Sequence, residues 1–219
     1  MAKHLDLEEQ EQLDQLKHFW NRYGNAITWL LILVLTGFAG WNGWQYWQRS
    51  QSAQASALYD EVDRAAKAGD TERLERAFGD IKDKYASTLY APQAALLTAK
   101  VLQDKGNADA AKAALAWVAD KASDPGYQSL ARLRLAGIAL DGKAYDDALK
   151  QLEGSFPGEF AALAADRRGD VFMAQDKKAE ALAEYRKAYA GLDTRVEYRR
   201  MVEVKLNALG VDPTAEAKK

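Results

Sequence analysis

No cysteine occurs in the 219 residues, and the only histidines are His4 and His18, both ahead of the long apolar stretch. Disulfides, thiolate nucleophiles and cysteine-ligated zinc are therefore excluded. Beyond residue 18 the chain also lacks the imidazole that a Ser-His-Asp triad or a histidine metal site requires. Strand signals are missing: there is no sustained period-two run and no Asn-Gly or Asp-Gly turn between alternating residues. Neither sign of charge dominates, with 30 Lys and Arg against 32 Asp and Glu. That balance argues against nucleic-acid binding, which needs a basic face for phosphates. Carboxylates are plentiful, but they are scattered along helical faces near Lys or Arg, the pattern of a solvated surface. The expectation is a chain with no catalytic residue, cofactor or metal and no small-molecule substrate.

Charge is wholly absent from Tyr23 to Gln48, YGNAITWLLILVLTGFAGWNGWQYWQ. As a helix, this stretch would extend roughly 39 Å at about 1.5 Å per residue, against a hydrocarbon core of about 30 Å. Trp20 and Tyr23 precede its apolar centre, and Trp41, Trp44, Tyr46 and Trp47 follow it. Aromatic rings with a polar edge favour the headgroup region, so the pattern predicts one transmembrane helix with belts at both ends. A cleaved signal peptide is the rival reading, since Ala53-Gln54-Ala55 and Ala55-Ser56-Ala57 resemble cleavage sites. The acidic residues Asp6, Glu8, Glu9, Glu11 and Asp14 are wrong for a signal peptide's first region, which favours a retained anchor. Basic residues do not fix the orientation: Lys17 and Arg22 precede the core, and Arg49, Arg64 and Lys67 follow it. Before the anchor, Leu5, Leu13, Leu16 and Phe19 predict a short amphipathic helix. Within the anchor, Gly37, Gly40 and Gly43, with the pairs Thr36/Gly40 and Ala39/Gly43, are candidates for packing against another membrane helix.

Beyond the anchor the chain is alanine-rich and broken by short turn signals such as Ala68-Gly69-Asp70, Lys105-Gly106-Asn107 and Asp141-Gly142-Lys143. Helices are predicted near 52–68, 71–86, 91–105, 108–121, 126–141, 144–154, 158–175, 178–190 and 195–208. An internal repeat is visible. Gly169, Phe172, Ala181, Tyr185 and Ala188 follow the small, aromatic, Ala, aromatic, Ala pattern of a tetratricopeptide repeat. Ala136, Ala139, Ala148, Leu152 and Ser155 stand at the same offsets upstream, as do Ala99, Leu102, Ala111, Leu115 and Val118. Small residues at the first and third positions would let the two helices of a hairpin touch, so Ala181 is expected against the helix carrying Gly169. Larger residues at the second and fourth would fill the gap to the next hairpin. A fourth unit through Val62, Gly69, Leu74 and Phe78 fits poorly and reads as a capping hairpin. The fold class is therefore all-α: one N-terminal transmembrane helix, then a TPR-like α-solenoid of helical hairpins. The expected organisation is a tail over 1–24, the membrane helix over 25–47 and the repeat domain over 48–219. Arg168-Gly169-Asp170 spells an adhesion tripeptide, but Gly169 belongs to a helix crossing and the adhesion reading is set aside.

Repeat arrays of this kind bind partners on the concave face lined by the first helix of each hairpin. Polar positions expected to be exposed there are Lys100, Gln103, Gln128, Arg132, Arg134, Asp166 and Arg167. A folded partner such as a chaperone would meet the mixed charges, with Arg132 and Arg167 as the pair that tests it, whereas an emerging hydrophobic client would bind apolar patches between these helices.

The order of features resembles the YfgM family of proteobacterial inner-membrane proteins over nearly the whole chain. The residues that carry the likeness are Lys17-x-Phe19-Trp20-x-x-Tyr23-Gly24, the anchor exit Gly40-Trp41-x-x-Trp44-x-Tyr46-Trp47, Leu133-Arg134-Leu135-Ala136, Arg168-Gly169 and Lys205-Leu206-Asn207. The resemblance implies a cytoplasmic amino-terminal tail, a periplasmic repeat domain, and association with the SecYEG translocon and the periplasmic chaperone PpiD. It implies no catalytic motif. Other functional classes consistent with the residues are a stress-response regulator acting through residues 1–22 and an envelope-assembly scaffold.

Overall fold

The computed structural model describes residues 7–158 and 160–216; His4 and Leu5 lie outside the described residues. The chain divides into two compact units, Met1–Gln51 and Ser52–Lys219. In the first, the described residues form a single helix, α1 (Leu7–Ala68), which continues into the second unit. A separate helix over 52–68 was expected; instead the helix runs on, because Gln48 to Ala57 contains no glycine, proline or capping turn. The side chains of Trp29, Leu33, Leu35 and Phe38 are 63–70% exposed, so no protein core covers them. Among the described residues α1 is the one helix long and apolar enough to cross a membrane. Apart from chain neighbours and the backbone of α1 itself, no described heavy atom lies within 4 Å of where a Cβ would stand on Gly37, Gly40 or Gly43.

The second unit pairs helices in order. The end of α1 packs with α2 (Thr71–Lys84), α3 (Tyr90–Asp104) with α4 (Ala108–Lys121), α5 (Pro125–Asp141) with α6 (Tyr145–Gln151), and α7 (Phe160–Ala174) with α8 (Lys178–Gly191). Helix α9 (Tyr198–Ala208) packs on α8 and is followed by the single turn α10 (Pro213–Glu216). Most contacts run between chain neighbours, and α5 also packs on α7, the layering of first helix on first helix that a repeat array requires.

Local signals set the turns. Asp70 accepts a hydrogen bond from Arg73 N and caps α2, and Asn107 caps α4 in the same way through Ala110 N. Pro125 opens α5 behind the capping Asp124. The residue two before the start of each second helix, ahead of its N-cap, is left-handed in all four hairpins: Gly69, Gly106, Lys143 and Asp176, with φ of 69°, 80°, 57° and 59°. The poorly fitting first unit is thus a hairpin of the same design. Its Val62, Leu74 and Phe78 are buried, and Arg73 pairs with Glu61 across it.

The core is built around small residues at the crossings. Ala111, Ala148 and Ala181, the equivalent third positions of three repeats, are each 0% exposed. Ala99, Ala136 and Gly169 fill the first position and are also buried. One expectation needs correction. Gly169 is covered by the Tyr185 ring, so the residue at the fourth position lies over the crossing of its own hairpin rather than in the gap beyond. A Cβ on Gly169 would stand 2.5 Å from Tyr185 Cδ1.

That crowding gives one substitution opposite signs at two helical glycines. Gly169→Ala must push Tyr185 off the crossing and is expected to cost about 1–3 kcal/mol. Gly79→Ala in α2, where a Cβ would meet nothing within 4 Å, is expected to stabilise by about 0.5–1 kcal/mol through helix propensity. Denaturant unfolding of both variants checks the pair; equal shifts would contradict this packing.

Candidate functional site

Helices α3, α5 and α7 share one face of the second unit, and two adjoining clefts open on it. The larger, about 610 Å³, lies between α5, α7 and the segment that joins α8 to α9. Its walls are mainly apolar: Leu130 and Leu133 from α5, Leu163 from α7, and Leu192 and Val196 from the joining segment. The smaller, about 400 Å³, lies toward α3 and is lined by Lys100, Gln103 and Asp104. Arg134, Gly137 and Arg167 border both clefts and form the ridge between them. The Arg167 guanidinium lies close to α5 at Gly137, where a Cβ would stand 4.0 Å from Nη1, an ordinary contact.

Four of the seven candidate residues, Lys100, Gln103, Arg134 and Arg167, therefore come together on this face. Lys100 pairs with Asp104 at 3.0 Å, both side chains largely exposed. Arg134 donates from Nη1 to the Leu96 carbonyl at 3.1 Å, tying α5 to α3.

The other three are structural. Gln128 donates to the Ala122 carbonyl at 2.6 Å, fixing the start of α5 against the end of α4. Arg132, expected to be a free charge, closes the far end of its hairpin. Its Nε donates to the Gln151 carbonyl at 2.9 Å, its Nη2 to the Glu153 carbonyl, and its guanidinium stacks 4.2 Å over the Phe156 ring. Asp166 was expected on the surface and is 1% exposed. It accepts hydrogen bonds from Lys205 Nζ at 2.8 and 2.9 Å and from the Tyr198 hydroxyl at 2.6 Å. Helical spacing places it opposite α9, where a carboxylate is retained because a cation reaches it.

Lys205 also donates to Asp170 at 2.6 Å, and Asp170 accepts from the Tyr185 hydroxyl at 2.9 Å. This cluster fastens α9 to the α7–α8 hairpin and so holds Tyr198 at the wall of the larger cleft. Burial pushes the Tyr198 phenol up from its ordinary value, reinforced by the bond to Asp166. Burial does the same to Tyr185, together with the charge and hydrogen bond of Asp170. Nearby, burial would raise the Glu184 carboxyl, but hydrogen bonds from Lys187 and Arg168 outweigh it and hold the group below its ordinary value. Arg168 also reaches the Leu152 carbonyl at 3.0 Å, linking consecutive hairpins. Lys205 and Tyr198 escape a reading of the sequence because each acts on a carboxylate more than thirty residues away.

With this geometry in place, the chain can be set beside known proteins. The family described as tetratricopeptide repeat-like domain matches residues 17–211. A Neisseria gonorrhoeae protein named ancillary SecYEG translocon subunit is 33% identical over 95% of this chain and the whole of its own length. Proteins of the same name from Haemophilus influenzae and Escherichia coli are 31% and 28% identical, each over 93% of this chain and nearly all of their own. No solved structure matches.

Removing Lys205 would strand a buried carboxylate. Lys205→Met is expected to cost about 3 kcal/mol or more, while Lys100→Met, which breaks an exposed pair, is expected to cost under about 0.5 kcal/mol. Urea unfolding of the two variants measures the difference. The two phenols add a pH dependence. Their folded values lie above the unfolded value of about 10, so their stabilisation is intact below pH 10 and falls as pH rises, when only the unfolded chain ionises. The melting temperature is expected to drop above pH 10, with a shallower slope in Tyr198→Phe.

Proposed function

The chain belongs to the YfgM family, and on that footing we propose that it is a non-enzymatic accessory protein of the Sec translocon. The observation that carries this reading is the match to the Neisseria protein over its full length, anchor included, which a shared repeat fold alone would not produce. In this reading residues 25–47 cross the inner membrane once, residues 1–24 face the cytoplasm, and residues 48–219 work in the periplasm beside emerging chains. The face bearing the two clefts receives protein partners. A membrane-anchored periplasmic chaperone of the PpiD kind is the partner proposed beside the translocon itself. The small residues Gly37, Gly40 and Gly43 leave room for close approach of a translocon helix to the anchor. The lack of histidine and cysteine beyond residue 18 supports a role in binding rather than catalysis.

Two measurements test the proposal. A reporter active only in the periplasm is expected to work when fused after Lys219 and to fail when placed before the anchor. A cytoplasmic carboxy terminus would overturn the reading. Affinity purification of the tagged full chain from mild detergent is expected to recover translocon subunits and a periplasmic chaperone. Recovery of cytoplasmic proteins alone would instead favour a regulator acting through the tail.

A further inference from the structure

The charged groups on the α3–α5–α7 face differ in how fully the fold uses them. Arg132 and Arg168 are committed to carbonyls, an aromatic ring and Glu184. Arg134 is not: one of its five N–H donors reaches Leu96, and among the described residues no carboxylate lies within ion-pair distance of it. Arg167 donates no hydrogen bond among the described residues. Among the described residues the one carboxylate paired with it is Asp170, at 3.8 Å, and Asp170 is already held by Lys205 and Tyr185. The one acid among the residues lining the larger cleft, Asp193, is gripped by Arg195 at 3.1 and 2.8 Å, and those bonds hold its carboxyl below the ordinary value. The cleft thus presents two cations with unused donors and, among its lining residues, no free anion.

Beside those cations lies apolar surface without cover. Val196 is 44% exposed at the rim, and the cleft's volume is in the range that takes up several side chains. A planar guanidinium with free N–H groups matches a carboxylate in a two-pronged arrangement, and the match is stronger at a partly desolvated site. We infer that Arg134 and Arg167, with the apolar cleft between α5 and α7, recognise a partner polypeptide segment that sets carboxylate side chains beside bulky apolar ones. This rests on the reading that the face binds protein partners and adds the chemistry of the segment. An apolar segment without acids leaves both arginines unanswered on binding, and a basic one meets them with like charge. Such selection would keep the site from holding every apolar stretch that passes it.

The test uses the full chain in nanodiscs of zwitterionic lipid and a fluorescent peptide of about fifteen residues in which Leu and Phe are interspersed with Glu. A second peptide replaces each Glu with Gln. The Glu peptide is expected to bind about tenfold more tightly, with the advantage shrinking as salt rises. In Arg134→Gln/Arg167→Gln, whose helicity and melting temperature are checked in parallel, that advantage is expected to vanish while the Gln peptide keeps its affinity within about twofold. Val196→Asp is expected to weaken both peptides. Equal binding of the two peptides to the unaltered chain would overturn the acid selectivity and leave the binding face intact. Binding of neither would overturn the face itself. Displacement of the Glu peptide by phosphatidylglycerol vesicles, lost in the double variant, would assign the arginines to lipid and overturn the inference.

Discussion

Two helices approach only as closely as the side chains between them allow, and the repeat unit depends on that limit. Ala111, Ala148 and Ala181, at the repeat position that favours a small side chain, are fully buried. At Gly169 even the methyl is absent, and the Tyr185 ring occupies the space. Close crossing brings larger residues such as Leu74, Leu102 and Leu115 into full burial, where transfer from water gives most of the stabilisation. The same spacing lays first helix against first helix, which turns α5 and α7 into the two walls of a cleft. A bulky residue at a crossing would therefore harm the fold and alter the face used for binding.

The end of the array meets a different constraint. A terminal helix has a neighbour on only one side, so apolar burial alone holds it less firmly. Here Lys205 reaches into the α7–α8 hairpin and binds Asp166 and Asp170, while Tyr198 closes the other side of Asp166. Buried ion pairs of this kind contribute little net stability compared with apolar packing, but they resist misplacement because each alternative strands a charge. That resistance fixes the register of α9 and, with it, the wall contributed by Val196 and Tyr198.

The hairpins are legible in the sequence because their signals are local. Glycine or a capping Asp or Asn marks turns at Gly69–Asp70 and Gly106–Asn107, and alanine recurs at the crossing offsets. Lys143 and Asp176 hold the equivalent left-handed position without glycine; Gly142 beside Lys143 still marks the first of these turns, and the repeat spacing reveals the second. The binding face is legible in part. Lys100, Gln103, Arg134 and Arg167 can be placed on first helices by period alone. The same period cannot show that Asp166 meets Lys205 or that Arg132 meets two carbonyls at and past the end of α6, since those partners are distant in sequence or lie in irregular backbone. The run of α1 through Arg49 departs from the expected break because a loss of hydrophobicity is not a loss of helix: Arg, Gln and Ala all favour helix.

Photocrosslinking in native membranes decides most directly whether a protein partner meets this chain at the α5–α7 cleft. One probe residue is placed at Val196, on the cleft rim, and another, separately, at Ala183, which is exposed on α8. A binding cleft requires crosslinks to a translocon subunit or a periplasmic chaperone from position 196 and none from position 183. Equal yields from both positions, or crosslinks from 183 alone, would contradict it.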